Sequence, residues 1–195
     1  MSAVYKISDE KLISGLKKGK IAVIPTDTLY GMVASVFKKK AVEKIYRIQK
    51  RNRKKPCIIL IQNLETLKLF GVKPDKETEK VLKKIWLGKV SVILDCPEKK
   101  FAYLHRGTKT LAFRFPKKKD LLMLLKKTGP LIAPSANPES LKPAATIIEA
   151  KKYFGPAADF YVDGGKLKSK PSTLISLKNG LIEVRRLGAV KIKKV

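Results

Sequence analysis

The chain has 195 residues, is 44% apolar and carries 44 Lys or Arg against 16 Asp or Glu, a net charge of +28. This length and apolar content fit a single domain over residues 1–195 and exclude wholesale disorder. No apolar run approaches the roughly 18 residues of a membrane span, and the first segment has no signal-peptide core, so a cytoplasmic protein with no membrane contact is expected.

Ile21–Ile24 reads as a short buried strand ended by Pro25. Residues 38–51, KKKAVEKIYRIQKR, bring Val42, Ile45 and Ile48 to helical spacing. Cys57–Ile61 is a continuous apolar run after Pro56, the pattern of a strand buried on both faces. Asn63 is placed to cap a short helix that Gly71 ends. Pro74 opens a further helix with Val81, Leu82 and Ile85 on one face. Val90–Leu94 and Thr110–Phe115 read as strands, and Asp120–Lys127 as a Leu-rich helix stopped by Gly129-Pro130. Leu131–Ala133 is a short strand. Thr146-Ile-Ile-Glu149 has capping-box form and starts a helix that Gly155-Pro156 closes. Strands follow at Phe160–Val162, Thr173–Ser176 and Leu181–Val184, the last two joined by a hairpin turn at Lys178-Asn179-Gly180. Strands and helices interleave and the chain finishes on strands, which predicts an α/β domain with a mixed sheet.

The charge is spread through the chain: 24 basic against 10 acidic residues in 1–100, and 20 against 6 in 101–195, is +14 in each part. A field of that sign favours polyanions such as RNA or nucleotides, although lysine also serves simply as solvated surface. The stretch 38–55, with ten Lys or Arg and one Glu, is either a solvated helix face or an anion-attracting rim. Only seven arginines are present, and each is of interest because its planar fork suits carboxylate and phosphate. Gly15–Lys20 has P-loop residues at the wrong spacing and precedes the first strand. Neither GxGxxG nor GxSxG occurs, and His105, the single histidine, is expected in a loop. Cys57 and Cys96 have no zinc-ligand or disulfide spacing and are expected to be reduced and buried. An enzyme with this inventory works without a side-chain nucleophile.

The informative segments are turns that follow strands. Pro25-Thr-Asp-Thr-Leu-Tyr-Gly31 puts two hydroxyls, a carboxylate and a phenol directly after a buried strand, where open α/β sheets bind ligands. Ala133-Pro-Ser-Ala-Asn137 repeats the theme with small residues that let a ligand approach the backbone. Asp163-Gly-Gly165 and Pro171-Ser-Thr173 add two polar turns. Arg114, on a strand, and Arg186, at a strand end, are costly to bury unpaired.

In their order, PTDTLYGM (25–32), KPCIILI (55–61), LAFRFP (111–116), LIAPSAN (131–137), DGG (163–165), PST (171–173) and RRLGAV (185–190) resemble the YrdC family of threonylcarbamoyl-AMP synthases, in its short single-domain form. The resemblance runs over roughly residues 8–190. It implies a twisted open mixed sheet with flanking helices and a concave, positively charged cavity. The implied reaction joins L-threonine, bicarbonate or CO2 and ATP, releasing pyrophosphate and leaving threonylcarbamoyl-AMP, a nucleotidyl transfer. The implied partner is a transferase that places the group on tRNA next to the anticodon, and tRNA or double-stranded RNA is a further possible ligand. Thr26, Tyr30, Arg114 and Ser172 would then bind L-threonine. Gln49, Lys50, Thr110, Ser135 and Arg186 would contact ATP, with Arg51, Ser135 and Asn137 on the catalytic surface. Magnesium would accompany ATP, with Asp27 and Asp163 the nearest carboxylates and no dedicated metal cluster.

The chain departs from the family pattern at Gln49, where the resemblance places a lysine, so either Lys50 or Lys54 reaches in instead or activity is reduced. Pro171 also stands where an acidic residue is common. Two other readings remain: a non-catalytic YrdC-like RNA-binding protein, and a carbamoyl-handling domain of a hydrogenase-maturation protein.

Overall fold

The computed structural model describes residues 3–192. Among these, ten strands form one sheet: β1 (Val4–Tyr5), β2 (Ala22–Pro25), β3 (Tyr30–Ser35), β4 (Ile58–Leu60), β5 (Val90–Asp95), β6 (Thr110–Arg114), β7 (Leu131–Ile132), β8 (Phe160–Val162), β9 (Thr173–Lys178) and β10 (Leu181–Arg186). Their spatial order is β1-β8-β2-β3-β7-β4-β6-β5-β9-β10. The pairs β1–β8, β8–β2, β4–β6 and β5–β9 are parallel, and the others antiparallel. This is the mixed open sheet of an α/β fold that the interleaved pattern predicts.

The helices are α1 (Glu10–Lys17), α2 (Lys39–Ile48), α3 (Lys76–Ile85), α4 (Ala102–His105), α5 (Lys119–Thr128) and α6 (Ile147–Phe154). Their starts follow from short polar side chains that satisfy otherwise orphaned amides. Asp9 accepts from the Lys11 amide at 2.8 Å, Asp75 from Thr78 at 2.8 Å, and Thr146 from Glu149 at 3.2 Å. Glu149 reaches back to the amide of Ala145 at 2.8 Å, a capping box displaced by one residue. Asn63 caps the 3-10 helix Leu64–Phe70, which ends on Gly71 as expected. The β9–β10 hairpin turns through Asn179 (φ 50°) and Gly180 (φ 77°), the left-handed pair a two-residue hairpin loop requires. None of the described helices is long and apolar enough to cross a membrane.

Several elements differ from expectation. The helix predicted over 38–51 stops at Ile48, because Gln49 is its C-cap and Lys50 turns left-handed (φ 50°). The helix expected to open at Pro74 starts at Lys76, after the Asp75 cap. β1, α1 and α4 were not anticipated, and neither was β3. The Tyr30-Gly31 pair, read as part of a turn, begins the fully buried strand YGMVAS. His105 is not a loop histidine. It ends α4, is 5% exposed, and accepts from the Gly107 amide through Nδ1 at 3.2 Å. Cys57 and Cys96 are free and buried.

Alternation along the strands sorts side chains between two faces. On one face Phe113, Val92, Ile59 and Ile175 join the main core under α2, α4 and α6. There Phe70 stacks among Phe37, Phe101 and Phe113, with ring centroids 5.1–6.0 Å apart. On the other face α1 and α5 pack Leu12, Leu16, Leu121 and Leu125 against Ile24, Val33, Leu60 and Leu131. Beyond them, on β4, β6, β5 and β9, this second face carries Ile58, Ala112, Ile93 and Leu174 as the floor of a cavity. Phe113 sits in the centre of the main core, fully buried. Phe113→Ala is expected to lower unfolding free energy by about 3–5 kcal/mol, measured by urea denaturation.

Candidate functional site

The cavity has a volume of about 460 Å³, within the usual range for small-molecule sites. On β6, Thr110, Ala112 and Arg114 alternate with the core residues Leu111 and Phe113, so the first three line the cavity. Thr110 and Arg114 stand roughly 13 Å apart along the strand at about 3.3 Å per residue. The strand thus presents a hydroxyl at one end of the cavity and a guanidinium at the other.

The Arg114 end is built by the β2–β3 hairpin loop. Thr26 closes the loop on itself: its amide donates to Leu29 O at 3.1 Å and its Oγ1 to the same carbonyl at 2.7 Å. The Thr28 amide donates back to Thr26 Oγ1 at 3.1 Å. This side-chain-closed turn holds Asp27 and Thr28 toward Arg114. Arg114 Nη1 donates to Thr28 Oγ1 at 3.0 Å, and Nη2 lies 3.2 Å from Asp27 Oδ1. The ion pair is close but not aligned as a hydrogen bond, and Arg114 Nε is buried with no partner. Burial pushes the Arg114 guanidinium below its ordinary pKa, Asp27 opposes that shift, and Arg186 adds to it. A guanidinium that lines a cavity suits an oxyanion.

Tyr30 fixes the far side of the same end. Its hydroxyl donates to Gly165 O at 2.8 Å and accepts from the Gly164 amide at 2.8 Å, with Asp163 Oδ1 at 3.2 Å. Gly31 has no side chain because Thr26 Cγ2 would lie 3.2 Å from its Cβ, with Ala133 and Pro134 also in contact. The Ala133–Asn137 segment therefore runs along β3. Met32 N donates to Pro134 O at 3.0 Å, and Ala136 N to Tyr30 O at 2.8 Å.

Opposite, Ser135 and Asn137 face the segment that leaves α2. Gln49, only 2% exposed, donates from Nε2 to Ser135 O at 2.6 Å. Arg51 donates to the carbonyls of Lys55 (3.3 Å) and Pro56 (3.1 Å), and its guanidinium lies 5.8 Å from the Tyr46 ring. Asn137 Nδ2 holds the carbonyls of Pro138 and Leu141, each at 2.9 Å, while its Oδ1 is buried without a partner. The remaining wall is Ser172, whose Oγ lies 2.8 Å from Ser91 Oγ, and Arg186, which donates to Ser172 O at 2.8 Å. Burial and the neighbouring Arg51 both push Arg186 below its ordinary pKa.

Thr26, Tyr30, Gln49, Arg51, Thr110, Arg114, Ser135, Asn137, Ser172 and Arg186, scattered along the sequence, all line this one cavity. Lys50 does not: the left-handed turn after α2 leaves it exposed and away from the lining, and Lys54 is likewise exposed and outside it. The lysine that does line the wall is Lys55. Glu139 also lines it, the single acidic side chain to do so among the described residues. Both were missed by the sequence reading, although Glu139 stands out as an acid two residues beyond the Ser-Ala-Asn run. Asp27 and Asp163, the carboxylates named as nearest any magnesium, are tied to Arg114 and Tyr30 and do not line the cavity. No group of three or more His, Cys, Asp or Glu comes together among the described residues. The lining therefore does not fit a protein-held magnesium site.

The sequence profile of the Sua5/YciO/YrdC family, described as telomere recombination, matches residues 14–188. A putative threonylcarbamoyl-AMP synthase of Methanocaldococcus jannaschii is 31% identical, over 98% of this chain and 94% of that protein. Among solved structures, E. coli YciO superposes with a TM-score of 0.85 at 26% identity, covering 99% of this chain and 98% of that one. Pyrococcus abyssi Sua5 complexed with L-threonine superposes with a TM-score of 0.83 at 26% identity, over 91% of this chain. This chain spans about half of that longer protein, 53% of its length.

Removing Asp27 leaves the Arg114 charge buried and unmatched. Asp27→Asn is therefore expected to lower unfolding free energy by about 3 kcal/mol in urea titrations. Burial raises the pKa of Tyr30, Tyr46 and Tyr103 and pushes Tyr161 up to about 12. The folded-state values thus lie above the unfolded one, so this contribution to stability is intact below pH ~10 and is lost as pH rises through and beyond that value. Denaturation midpoints should fall between pH 9 and 11, with the buried phenols' 295 nm absorbance appearing only above the ordinary tyrosine range.

Proposed function

The chain belongs to the Sua5/YciO/YrdC family, and on that premise we propose that it is an L-threonylcarbamoyl-AMP synthase, a nucleotidyltransferase. It joins L-threonine, bicarbonate or CO2 and ATP into threonylcarbamoyl-AMP and pyrophosphate. The observation that carries this reading is Arg114: a buried guanidinium with a free Nε, held from behind by Asp27 and Thr28, at one end of a cavity whose other cations are Arg51, Lys55 and Arg186.

The two ends suit two anions. Arg114 takes the threonine carboxylate, with Thr26, Tyr30 and Ser172 shaping the pocket around it. A hydrogen bond to the threonine hydroxyl discriminates against valine by up to about 10⁴-fold, because a site built for a hydroxyl is left unpaired without it. Arg51, Lys55 and Arg186 face the phosphates, with Thr110, Gln49 and Ser135 contacting the nucleotide and Asn137 bordering the reacting groups. The threonine amine adds to CO2 and loses a proton, giving a carbamate. A carbamate oxygen then attacks the α-phosphorus, the bond to the β-phosphate oxygen breaks, and pyrophosphate leaves with that electron pair. Such a transfer needs alignment and charge neutralisation rather than a protein nucleophile. Four cations against the single Glu139 carboxylate support the expected positive cavity. Any magnesium in the reaction is the nucleotide's own.

Every proposed contact lies on strands of one sheet or on the segments that join them, which supports a single-domain enzyme. The product is a reactive mixed anhydride, so it is passed to a transferase that modifies tRNA. The cytoplasm, with its ATP and reducing conditions, matches two free buried thiols. Gln49, whose lack of charge favoured the RNA-binding alternative, is accompanied in the lining by Lys55, which supports the enzyme reading instead.

Pyrophosphate release from ATP, with threonine and bicarbonate omitted in turn, tests the reading. Release should require both. Arg114→Ala should raise KM for threonine by about 10- to 100-fold, the loss of a charge-assisted hydrogen bond. Release that ignores threonine, or a protein that binds RNA but neither threonine nor ATP, would sink the proposal.

A further inference from the structure

Glu139 has no part in the chemistry above, yet it puts a negative charge into a wall otherwise lined by Arg51, Lys55, Arg114 and Arg186. That charge opposes an anionic ligand, so its contacts are informative. Its Oε2 accepts from the Asn52 amide in a very short hydrogen bond, and its Oε1 lies 3.9 Å from Lys55 Nζ. Its own amide donates to Gln49 O at 2.8 Å. Together with the Gln49 Nε2 bond to Ser135 O at 2.6 Å, these ties stitch residues 49–55 to residues 135–139.

What the stitch holds is Arg51. Asn52 opens a tight turn in which its Oδ1 accepts from Lys54 N at 2.9 Å and its carbonyl from Lys55 N at 3.1 Å. The turn presents the Lys55 and Pro56 carbonyls, and the Arg51 guanidinium is bonded to both. The guanidinium therefore goes where the turn goes; Tyr46 holds the turn from α2, its hydroxyl donating to Lys55 O at 2.9 Å, and the Asn52 amide fastens it across the cavity.

We propose that Glu139 is a positioning residue: its carboxylate anchors the Asn52–Pro56 turn and so sets Arg51 against the Ser135–Asn137 loop. The inference rests on reading that end of the cavity as the nucleotide site. The anchor needs an acceptor for the Asn52 amide and does not need a charge. The threonine end is held separately by Asp27 and Thr28.

The test compares Glu139→Ala with Glu139→Gln in the full chain. Backbone hydrogen exchange across residues 50–56 should accelerate in Glu139→Ala and stay near the parent rate in Glu139→Gln, whose amide oxygen still accepts. KM for ATP should rise about tenfold in Glu139→Ala, the cost of one lost hydrogen bond to a charged group. KM for threonine should hold, and Glu139→Gln should restore KM for ATP to within about twofold. Equal exchange in both variants overturns the anchor. So does a fall in KM for ATP in both, which would make the carboxylate a competitor of the phosphates. If the parent protein releases no pyrophosphate, the reading of the site fails, and the exchange comparison alone decides the anchor.

Discussion

Arg114 is 4% exposed at the carboxyl end of β6, and a charge so placed must be met inside the fold. Asp27 and Thr28 meet it from the β2–β3 loop, although β7 and β4 lie between β3 and β6 in the sheet. Three inter-strand spacings of about 4.8 Å make that reach roughly 14 Å. By register Arg114 lies level with Leu60, Leu131 and Ser35, so the loop at the Tyr30 end of β3 has to reach it across two intervening strands, only two and three residues long. The turn closed by Thr26 and the glycine at position 31 are the local means by which the chain makes that crossing. One end of the cavity thus exists because one guanidinium has to be neutralised.

The neutralisation is incomplete in an instructive way. Arg114 keeps an unpartnered Nε, while burial and the neighbouring Arg186 lower its basicity, and burial and Arg51 lower that of Arg186. Like charges drawn together at the wall of a partly desolvated cavity are unfavourable in the empty protein and favourable once an anion arrives. The floor beneath them is apolar, formed by Ile58, Ala112, Ile93 and Leu174, while Gln49, Arg51 and Arg186 on the walls are held by bonds to backbone carbonyls. That combination gives orientation without a protein nucleophile. It also explains how a chain with one histidine, used to bind the Gly107 amide, can still carry a reaction site.

Most of this was legible in the sequence because it depends on local rules. Caps at Asn63 and Thr146, the Asn179-Gly180 turn and the apolar run at Cys57–Ile61 are set by residues within a few positions of one another. The polar turns after strands pointed to Thr26, Tyr30, Ser135, Asn137 and Ser172, strand placement to Arg114 and Arg186, and the family resemblance alone added Gln49, Arg51 and Thr110. What escaped depends on distant partners. β3 was hidden because Tyr30-Gly31 has turn composition, yet its backbone pairs with β2 on one side and with β7 and the Pro134–Ala136 segment on the other. His105 was misplaced because only the packing of α4 against α2 and β6 buries it. α1, by contrast, was readable from Asp9 and from Leu12, Ile13 and Leu16, and went unread beside the distracting glycines at 15 and 19. Asp27 was noted only as a carboxylate near any magnesium, because nothing in its neighbourhood reveals Arg114, 87 positions along.

Position 49 shows how the fold decides which charges a site can use. The resemblance places a lysine there, and a lysine 2% exposed needs an anion beside it or loses its proton. Glutamine at that depth has no such demand: one hydrogen bond to Ser135 O satisfies its donor and fastens the loop that carries Ser135 and Asn137. The lysine that lines the wall is Lys55, six residues on, whose side chain is 65% exposed and keeps its hydration. A buried point charge has been exchanged for a neutral tether and a solvated charge at the rim. The rim lysine costs less to maintain in the empty protein, and the tether gives the wall a rigidity that a lysine's single flexible stem does not provide.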